Sequence, residues 1–551
     1  MWASLHGSFD LVVVGGGVTG CGIARDAARR GLRVALVEMD DFAFGTSSRS
    51  SKLVHGGLRY LEQYEFNLVF EAVSERRILM DIAPHLVRPL GFLFPVYADS
   101  RHKLWFINAG MWVYDGLSLF RSPKRHESMD TKALLKEEPL LERPGLKGAS
   151  LYYDCATDDA RITLENALDA VSEGACVCSY AKVVGFKNDA AGRVSGVEVQ
   201  DRVTGEKRVL EATAVVNATG PWTDKTLALS SQGPKRPLLR PTKGVHIVVD
   251  HAALPLSHAV LCMHPDDGRV MFVIPWGEQT YIGTTDTDEV DDPSEVRASA
   301  EDVTYILDVI HAHFPTVTLT PDHVISTWAG LRPLISEAPA PGESQEESSV
   351  SREHQIVVGQ DGLVTIAGGK LTTYRRMAAE VVDTVIKLLR LSDRLPEGLD
   401  GAKTDEEPLP GAVGWPIDDD RLQVSRRVQK AAKGLLNETS AALLTDTYGM
   451  RAMDVARLMV ASPELAEPVV EGRPEVMAQV AWAVDMELAG EVSDIFIRRT
   501  QLFFRDRDQG LSGVERVGRY LASKLDWSDE RRAASEQDYR DEVALSRSWR
   551  G

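Results

Sequence analysis

The chain has 551 residues, of which 44% are hydrophobic and 26% are charged. These values are typical of globular proteins and exclude a fibrous, collagen-like or wholly disordered chain, and the length predicts about three to four domain-sized units. The net charge of −19 repels nucleic acid and the anionic face of a bilayer, so we expect neither as a default partner. An anionic substrate would need cations gathered locally in its pocket.

The five cysteines are odd in number and widely spread, so we expect no disulfide framework. Cys176 and Cys178 form a C-x-C pair without a second Cys or His pair at zinc spacing, so we expect no metal site. The N-terminus lacks the basic and apolar regions of a signal peptide, and no run of about 20 apolar residues could span a membrane. These features predict a cytosolic protein.

The first forty residues predict a strand, a glycine turn, a helix and a second strand. Residues 11–14 are an apolar run that fits a strand buried on both faces. The sequence GGGVTG at 15–20 follows, and the helical pattern after it continues to Arg30, where Gly31 ends it. Residues 33–38 then predict the second strand.

Gly15, Gly17 and Gly20 have the spacing of a dinucleotide-binding turn. Such glycines allow a tight turn, close approach of a pyrophosphate, and close packing of helix on strand. The helix N-terminus offers free N–H groups to phosphates. Glu38 ends the second strand, where a carboxylate accepts hydrogen bonds from a ribose 2′-hydroxyl. The alternative is a glycine-rich turn in some other α/β domain.

The glycine turn alone does not distinguish FAD from NAD. The stretch 45–60 is rich in hydroxyls and glycines and could line a long, flat ligand. Glycines recur at the ends of two other predicted strands, at Gly220 and at 368–369. Because several strand ends could then meet one extended cofactor, these features favour a resident flavin.

The rest of the chain separates into three kinds of pattern. Buried strands are predicted at 214–220 and 363–369, and a helix at 370–390. Alternating patterns predict strands of an antiparallel sheet at 244–249, 270–275 and 280–284, and residues 336–351 read as an exposed loop. Towards the C-terminus, helices are predicted at 431–444, 453–459 and 475–504. We therefore predict a nucleotide-binding domain from 1–85, 151–235 and 351–395, a substrate lobe from 86–150 and 236–350, a linker at 396–416, and a helical domain at 417–551.

Nine sequence blocks carry a resemblance to a known family. They are SSRSSKLVHGGLRYLEQYEF (47–66), DDARIT (158–163), VVNATGPW (215–222), KGVHIVV (243–249), FVIPW (272–276), IGTTDT (282–287), AGLRPL (329–334), GGKLTTYRRMA (368–378) and IFIRRTQLFFRD (495–506). They resemble blocks of the FAD-dependent, aerobic-type glycerol-3-phosphate dehydrogenases, within the larger flavoprotein group that includes D-amino-acid oxidase. The resemblance covers nearly the full length; the loop at 336–351 is longer and more acidic than that family suggests.

The resemblance implies an α/β protein with a discontinuous Rossmann-like FAD-binding domain, an antiparallel-sheet substrate lobe of the D-amino-acid-oxidase type and an all-helical C-terminal domain. It implies oxidation of sn-glycerol 3-phosphate to dihydroxyacetone phosphate, transfer of electrons from FAD to a quinone, and peripheral attachment to the inner face of the cell membrane. The alternatives are an oxidase that uses O2, a related flavoprotein that oxidises another hydroxy acid or amine, and a catalytically silent flavin-binding sensor or scaffold.

The same blocks supply the candidate catalytic residues His246 and Arg332. An imidazole with a pKa near 6.5 is a natural general base, although a structural histidine is the alternative. Arg332 precedes a proline, which favours an extended backbone, and its guanidinium could clamp an anion but is a poor proton acceptor. His55 is a weaker candidate that would face the flavin.

The substrate and cofactor candidates also lie in these blocks. For substrate binding they are Arg59, Tyr60, Lys370 and Thr372, with Arg59 and Lys370 as phosphate ligands; an ordinary surface ion pair is the alternative for each cation. Lys370 could instead meet the flavin ring. For FAD binding the candidates are Gly15, Gly17, Gly20, Glu38, Thr46, Ser47, Ser51, Lys52, Leu53, Gly220, Gly369 and Lys370.

Residues 101–125 are the stretch most suited to a membrane surface. Five basic residues and one acidic residue flank or interrupt a segment rich in Trp, Tyr, Phe and Leu. A helix of this composition can lie in a bilayer interface, but it is too short to span one. The alternatives are a buried helix of the substrate lobe and a contact in the homodimer that we expect.

Overall fold

The structure, a computed structural model, describes residues 2–57, 65–118, 123–230, 233, 236–288, 292–336 and 354–551. In chain order, its strands are β1 (Ser8–Val14), β2 (Val34–Val37), β3 (Leu53–Val54), β4 (Arg88–Tyr97), β5 (Glu127–Met129), β6 (Leu146–Ala156), β7 (Cys176–Cys178), β8 (Ala181–Asn188), β9 (Val194–Asp201), β10 (Lys207–Asn217), β11 (Leu239–Asp250), β12 (Ala259–Met263), β13 (Val270–Trp276), β14 (Gln279–Gly283), β15 (Thr287–Asp288), β16 (Val324–Ile335), β17 (His354–Val358) and β18 (Val364–Gly368). The α-helices are α1 (Val18–Arg29), α2 (Phe66–Ile82), α3 (Leu104–Leu117), α4 (Thr131–Glu137), α5 (Asp159–Ser172), α6 (Thr223–Leu227), α7 (Ala300–His313), α8 (Tyr374–Leu391), α9 (Arg421–Ala431), α10 (Glu438–Tyr448), α11 (Ala452–Ala461), α12 (Met477–Met486), α13 (Leu502–Arg505), α14 (Val514–Leu525) and α15 (Asp529–Ser546).

The first sheet has a parallel core in the order β18-β10-β1-β2-β7. β17 pairs antiparallel with β18, and the β8–β9 hairpin adds to β10. Leu11 and Val13 of β1 pack in one apolar cluster with α1, α5 and α8, while Val12 and Val14 pack in another with β8 and β9. β1 is buried on both faces because each face of the parallel sheet is covered.

The second sheet is centred on β11, which pairs antiparallel with β14, β15 and β16. Successive side chains of β11 point to opposite faces. Val245, Ile247 and Val249 therefore pack with apolar residues of α7, while Val248 packs with the C-terminal helices. The predicted α/β class and helical C-terminal region are confirmed. The second sheet is antiparallel as predicted except between β4 and β12, which pair in parallel.

The C-terminal helices are more interrupted than the sequence pattern predicts. The helix expected at 431–444 is divided, because α9 ends at Ala431 and α10 begins after Asn437, whose side chain caps it through Ser440 N. Lys433 and Gly434 between them have positive φ angles. Similarly, the stretch 475–504 contains α12, the π-helix Asp494–Arg499 and α13.

The segment predicted to be a linker, 396–416, is packed onto the nucleotide-binding part. Arg25 of α1 donates to the carbonyl of Glu407 at 2.7 Å, and the backbone N–H of Leu409 donates to the carbonyl of Ile82 at 2.8 Å. Thr404 and Leu409 are buried. The composition of this segment resembles that of a free tether, but these tertiary contacts hold it in place.

Candidate functional site

The glycine turn after β1 is shaped by close backbone approaches. Gly15 has φ 109°, and a Cβ there would lie 2.6 Å from the Ala218 carbonyl oxygen. A Cβ on Gly20 would lie 1.8 Å from the Gly15 carbonyl oxygen. The sequence GGGVTG is therefore needed to bring α1 against β1 and β10 and to direct the N-terminus of α1 at the space beyond the sheet.

A cavity of about 680 Å³ lies at the carboxyl ends of β1, β2, β10 and β18. Its size is within the range of cofactor sites, and its position is where ligands bind in open α/β sheets. Eight of the twelve predicted cofactor residues line it: Gly15, Gly17, Glu38, Thr46, Ser47, Gly220, Gly369 and Lys370. A dinucleotide fits this set, because the cavity is lined by glycines and by Val18 and Thr19 at the N-terminus of α1, where phosphate groups bind favourably.

Glu38 lies on the wall of this cavity. Its carboxylate accepts hydrogen bonds from the backbone N–H groups of Gly16 at 2.5 Å and Asp40 at 2.9 Å. Burial raises the pKa of Glu38 to about 7, against the effect of these two bonds. The carboxylate is thus positioned at the end of β2, as the sequence predicts for a ribose ligand.

The four other predicted cofactor residues lie off the cavity wall. Gly20 acts in the packing of α1, and Leu53 is buried in β3, where it pairs with Ala156. Lys52 is 2% exposed; its ammonium donates to Asp159 at 2.7 Å and to the Ser48 carbonyl at 3.1 Å. The Lys52 side chain therefore holds the loop at 46–52 through the Ser48 carbonyl and does not face the cavity. Ser51 contacts His246, as described next.

His246 is buried on β11 and stacks on Trp328, with ring centroids 4.8 Å apart and planes at 16°. Its Nε2 lies 2.9 Å from the Ser51 hydroxyl, and its buried Nδ1 has no hydrogen-bond partner among the described residues. Burial, and then the charges of Arg332 and Lys52, lower the pKa of His246 well below its usual value. The imidazole is therefore neutral at pH 7.

Arg332 lies on the same face of the second sheet. The register of β11 and β16 pairs Thr242 with Arg332, Gly244 with Gly330 and His246 with Trp328. Because every second residue of a strand shares a face, the partners on both strands face the loop at 46–52. Two observations confirm this orientation: Trp328 Nε1 donates to the Ser50 carbonyl at 3.1 Å, and a Cβ on Gly330 would lie 2.6 Å from the Arg49 carbonyl oxygen.

The guanidinium of Arg332 is held by neighbours that the sequence did not single out. It donates to Asp286 at 3.0 Å, and to the Thr284 hydroxyl and the Thr285 carbonyl at 3.1 Å each. A Cβ on Gly244 would lie 2.5 Å from Arg332 Nη2, so the glycine makes space for this side chain. The G in KGVH is the signal in the sequence that could have indicated this approach.

The predicted substrate residues have different placements. Lys370 lines the cavity. The Thr372 hydroxyl accepts from His55 N at 3.1 Å and donates to the His55 carbonyl at 3.2 Å, so it holds the backbone of the SKLVHGG block. Arg59 and Tyr60 lie outside the described residues, as does most of the loop predicted at 336–351.

A second buried network holds the next residue of that block. The Gly56 N–H donates to the Tyr114 hydroxyl at 3.0 Å and to Asp154 at 3.2 Å, while Tyr114 itself donates to Asp154 at 2.8 Å. Arg76 also donates to Asp154. Tyr114 belongs to α3 and Arg76 to α2. The Asp154 carboxylate therefore joins both helices to the backbone at Gly56.

The outer face of α3 carries large apolar residues. Trp105 is 72% exposed and Trp112 is 56% exposed, while Met111 and Tyr114 on the other face are buried. Phe66 and Phe70 of α2, which packs against α3, are also exposed. We call Phe66, Phe70, Trp105, Phe106, Trp112 and Val113 the apolar patch. In the described part of the chain, no helix combines the length and hydropathy that a membrane span needs.

Comparison with known proteins identifies the family of this chain. The profile of the family described as FAD dependent oxidoreductase matches residues 10–375, and that of the C-terminal domain of alpha-glycerophosphate oxidase matches residues 402–532. The chain is 37% identical to the aerobic glycerol-3-phosphate dehydrogenase of Staphylococcus saprophyticus over 523 residues, 95% of this chain and 92% of that protein. With the protein of the same name from Staphylococcus haemolyticus it shares 38% identity over 90% of this chain and 87% of the relative.

Among solved structures, the glycerol-3-phosphate dehydrogenase from Bacillus halodurans, complexed with FAD, superposes with a TM-score of 0.81 at 34% identity. The match covers 99% of this chain and 97% of that protein. An L-alpha-glycerophosphate oxidase from Mycoplasma pneumoniae with FAD bound has a TM-score of 0.55 at 17% identity, covering 74% of this chain and all of that one. The second likeness concerns the fold alone.

Proposed function

Because the chain belongs to the family of FAD-dependent, aerobic-type glycerol-3-phosphate dehydrogenases, we propose that it oxidises sn-glycerol 3-phosphate to dihydroxyacetone phosphate, with FAD as cofactor and a quinone as final electron acceptor. The observation that carries the proposal is the meeting of Arg332 and a neutral His246 on one sheet face, above a loop that lines the dinucleotide cavity.

Oxidation of a secondary alcohol releases the hydroxyl proton and transfers a hydride from carbon. FAD, when bound, supplies the hydride acceptor. His246 takes the proton at Nε2, the nitrogen that faces the Ser51 hydroxyl, in the tautomer that carries hydrogen on Nδ1. The nearby cations Arg332 and Lys52 disfavour a charged imidazole. A bound phosphate would offset them and raise the pKa of His246 when substrate is present.

Arg332 and Lys370 are the cations that we assign to the anionic substrate. The Arg332 side chain is partly exposed, and Asp286, Thr284 and Thr285 orient it from behind. A guanidinium held in this way can bind a phosphate or donate a hydrogen bond to a developing alkoxide. Lys370, between Gly369 and the helical turn before α8, extends the cationic surface at the cavity wall.

The activity is tested by adding sn-glycerol 3-phosphate to the FAD-loaded protein without oxygen. We expect the visible absorbance of the flavin to bleach with this substrate, and to persist with glycerol, which lacks the phosphate, and with glycine. Bleaching by the amine alone would favour an amine-oxidising flavoprotein, and no bleaching at all would contradict the proposal. In air, peroxide formed in step with substrate consumption would identify the O2-using alternative instead of the quinone enzyme.

We also propose that the apolar patch attaches the protein peripherally to the inner face of the cell membrane, where a quinone is available. Exposed aromatic residues on α2 and α3 support this, together with the basic residues at 101–103 and 124–125.

We also propose that the protein is a homodimer. Light scattering of the protein as it elutes from a size-exclusion column would then give a mass near twice 60.6 kDa. The mass of a single chain would contradict this.

A further inference from the structure

The loop after Glu38 forms one wall of the cavity and has a buried carboxylate at its centre. Glu38, Met39, Asp40 and the stretch 44–47 line the cavity. Asp41, between them, points away from it and is fully buried. The Phe44 N–H donates to the Asp41 carbonyl at 3.1 Å, so the shape of the loop depends on how Asp41 is held.

Two arginines of the C-terminal region hold this carboxylate. Arg499 donates to both oxygens of Asp41, at 2.7 and 2.9 Å, and Arg498 Nε donates to one of them. Both arginines are buried. Burial alone would raise the pKa of Asp41, but Arg499 and Arg498 hold that pKa below its ordinary value. The carboxylate is therefore charged and bound by donors more than 450 residues away in the chain.

Arg498 and Arg499 are consecutive residues of one helical turn, and both donate to the same carboxylate. Here they lie in the π-helix Asp494–Arg499, with a hydrogen bond from Thr500 N to the Ile495 carbonyl at 2.9 Å. Single π-helical turns of this kind occur frequently at functional sites.

The contact extends to the cavity wall itself. Arg498 lies over the ring of Phe44, 6.0 Å from its centroid, and Phe44 lines the cavity. Arg498 also donates to Asp494 at 2.7 Å, and Tyr180 donates its hydroxyl to the same carboxylate. The Tyr180 N–H donates to the Asp40 carbonyl at 2.9 Å, so this network holds the loop at a second point.

We propose that Arg498 and Arg499 are positioning residues for FAD: by binding Asp41 they hold the 38–47 loop in the shape that contacts the cofactor. The C-terminal helical region thus completes the cofactor site without lining it. The proposal rests on FAD binding alone and is independent of the substrate and of the electron acceptor, so it can fail while the proposed activity stands.

The test compares the affinity of the protein for FAD in Asp41→Asn and in Asp169→Asn. Asp169 is a matched control, because it is also buried and also accepts from two arginines, Arg25 at 2.6 Å and Arg29 at 2.8 Å, but it does not line the cavity or its loop. We expect Asp41→Asn to raise the dissociation constant for FAD about tenfold, the equivalent of one charge-assisted hydrogen bond.

The second readout is the rise in melting temperature that saturating FAD gives, measured against the apoprotein of each variant. A cofactor that binds more tightly raises the melting temperature of the protein more. A loop that is no longer held in position should therefore reduce the rise caused by FAD. Asp169→Asn should lower the melting temperature of apoprotein and holoprotein alike and leave the rise unchanged. Equal FAD affinities in the two variants, or a rise in Asp41→Asn equal to that of the wild type, would overturn the proposal.

A milder variant decides the matter if Asp41→Asn does not fold. Arg499→Lys keeps the charge but cannot donate to both carboxylate oxygens in the same planar geometry. We expect a smaller loss of FAD affinity, about threefold. We also expect the flavin to dissociate faster on dilution, as followed by its fluorescence. Unchanged affinity and release rate in Arg499→Lys would count against the positioning role.

Discussion

His246 shows how a residue type acquires a role from its surroundings. In the sequence it is an imidazole with an ordinary pKa in a predicted strand. In the fold it is buried against Trp328, faces Ser51 and lies near two cations. These contacts keep the ring neutral and oriented, which is the state that a proton acceptor needs before substrate binds.

His246→Gln should lower turnover about 100-fold or more, because glutamine fills a similar space but cannot take a proton. The FAD content should stay that of the wild type, because His246 does not line the cavity. His264→Gln is a control: that histidine is also buried and stacked, on Tyr305, but outside the site. Wild-type turnover in His246→Gln would remove this residue as the base.

Gly244 is a residue whose role is the absence of a side chain. Gly244→Ala would place a methyl group 2.5 Å from Arg332 Nη2. We expect the guanidinium to shift and the KM for glycerol 3-phosphate to rise about tenfold, with FAD still bound. Gly401→Ala, where a Cβ meets nothing within 4 Å, should leave KM unchanged. Steady-state kinetics of both variants checks this, and an unaltered KM in Gly244→Ala would contradict the assigned position of Arg332.

At the scale of elements, the pairing of β11 with β16 assembles the site. Each strand is recognisable in the sequence as an apolar or alternating run. The register in which the two strands pair is not recognisable in the sequence. A shift of one residue would turn Arg332 or His246 to the α7 side of the sheet. The observed register, with Thr242 opposite Arg332 and His246 opposite Trp328, puts both functional side chains on the face toward the loop at 46–52.

Helix α3 is the element whose outer face supports membrane contact. Trp112→Glu places a charge in the apolar patch and should abolish co-sedimentation with vesicles that contain anionic lipid, because burying a carboxylate in the interface is unfavourable. Leu422→Glu, at an exposed apolar position of α9, should sediment like the wild type. Equal sedimentation of all three proteins would contradict contact through this patch.

At the scale of the whole molecule, the negative net charge does not indicate where the positively charged side chains lie. The net charge is −19, yet Arg332 and Lys370 lie at the site, and Arg498 and Arg499 are buried beside Asp41. Surface charge is screened over roughly 10 Å in salt, so these local groups dominate their own surroundings. Buried ion pairs also join the C-terminal region to the rest of the chain.

The stability of the whole chain should fall on mild acidification because of His246. Its pKa in the folded protein is well below the value of about 6.5 in the unfolded chain. Below pH 6.5 the unfolded state binds a proton that the folded state does not, so stability is full above that pH and decreases as pH falls. The loss is at most about 1.4 kcal/mol per pH unit.

Urea unfolding of wild type and His246→Gln at pH 7.5, 6.5 and 5.5 would measure this contribution. The wild type should lose stability relative to the variant in the two more acidic samples. Parallel curves for the two proteins would mean that the folded protein protonates His246 near its ordinary pKa.

The sequence by itself determined the glycine turn, the strand–helix–strand unit around it, the antiparallel lobe and the family, because short-range spacing and apolar periodicity encode these features directly. It predicted the broken C-terminal helices poorly, since polar caps and positive φ angles interrupt a continuous pattern. Only the tertiary structure decided that Lys52 lies beneath the loop, that Thr372 and Asp154 hold the His55–Gly56 backbone, and that Arg499 binds Asp41. Those pairings join residues that are distant in the chain, and they depend on register and burial, which a linear pattern does not contain.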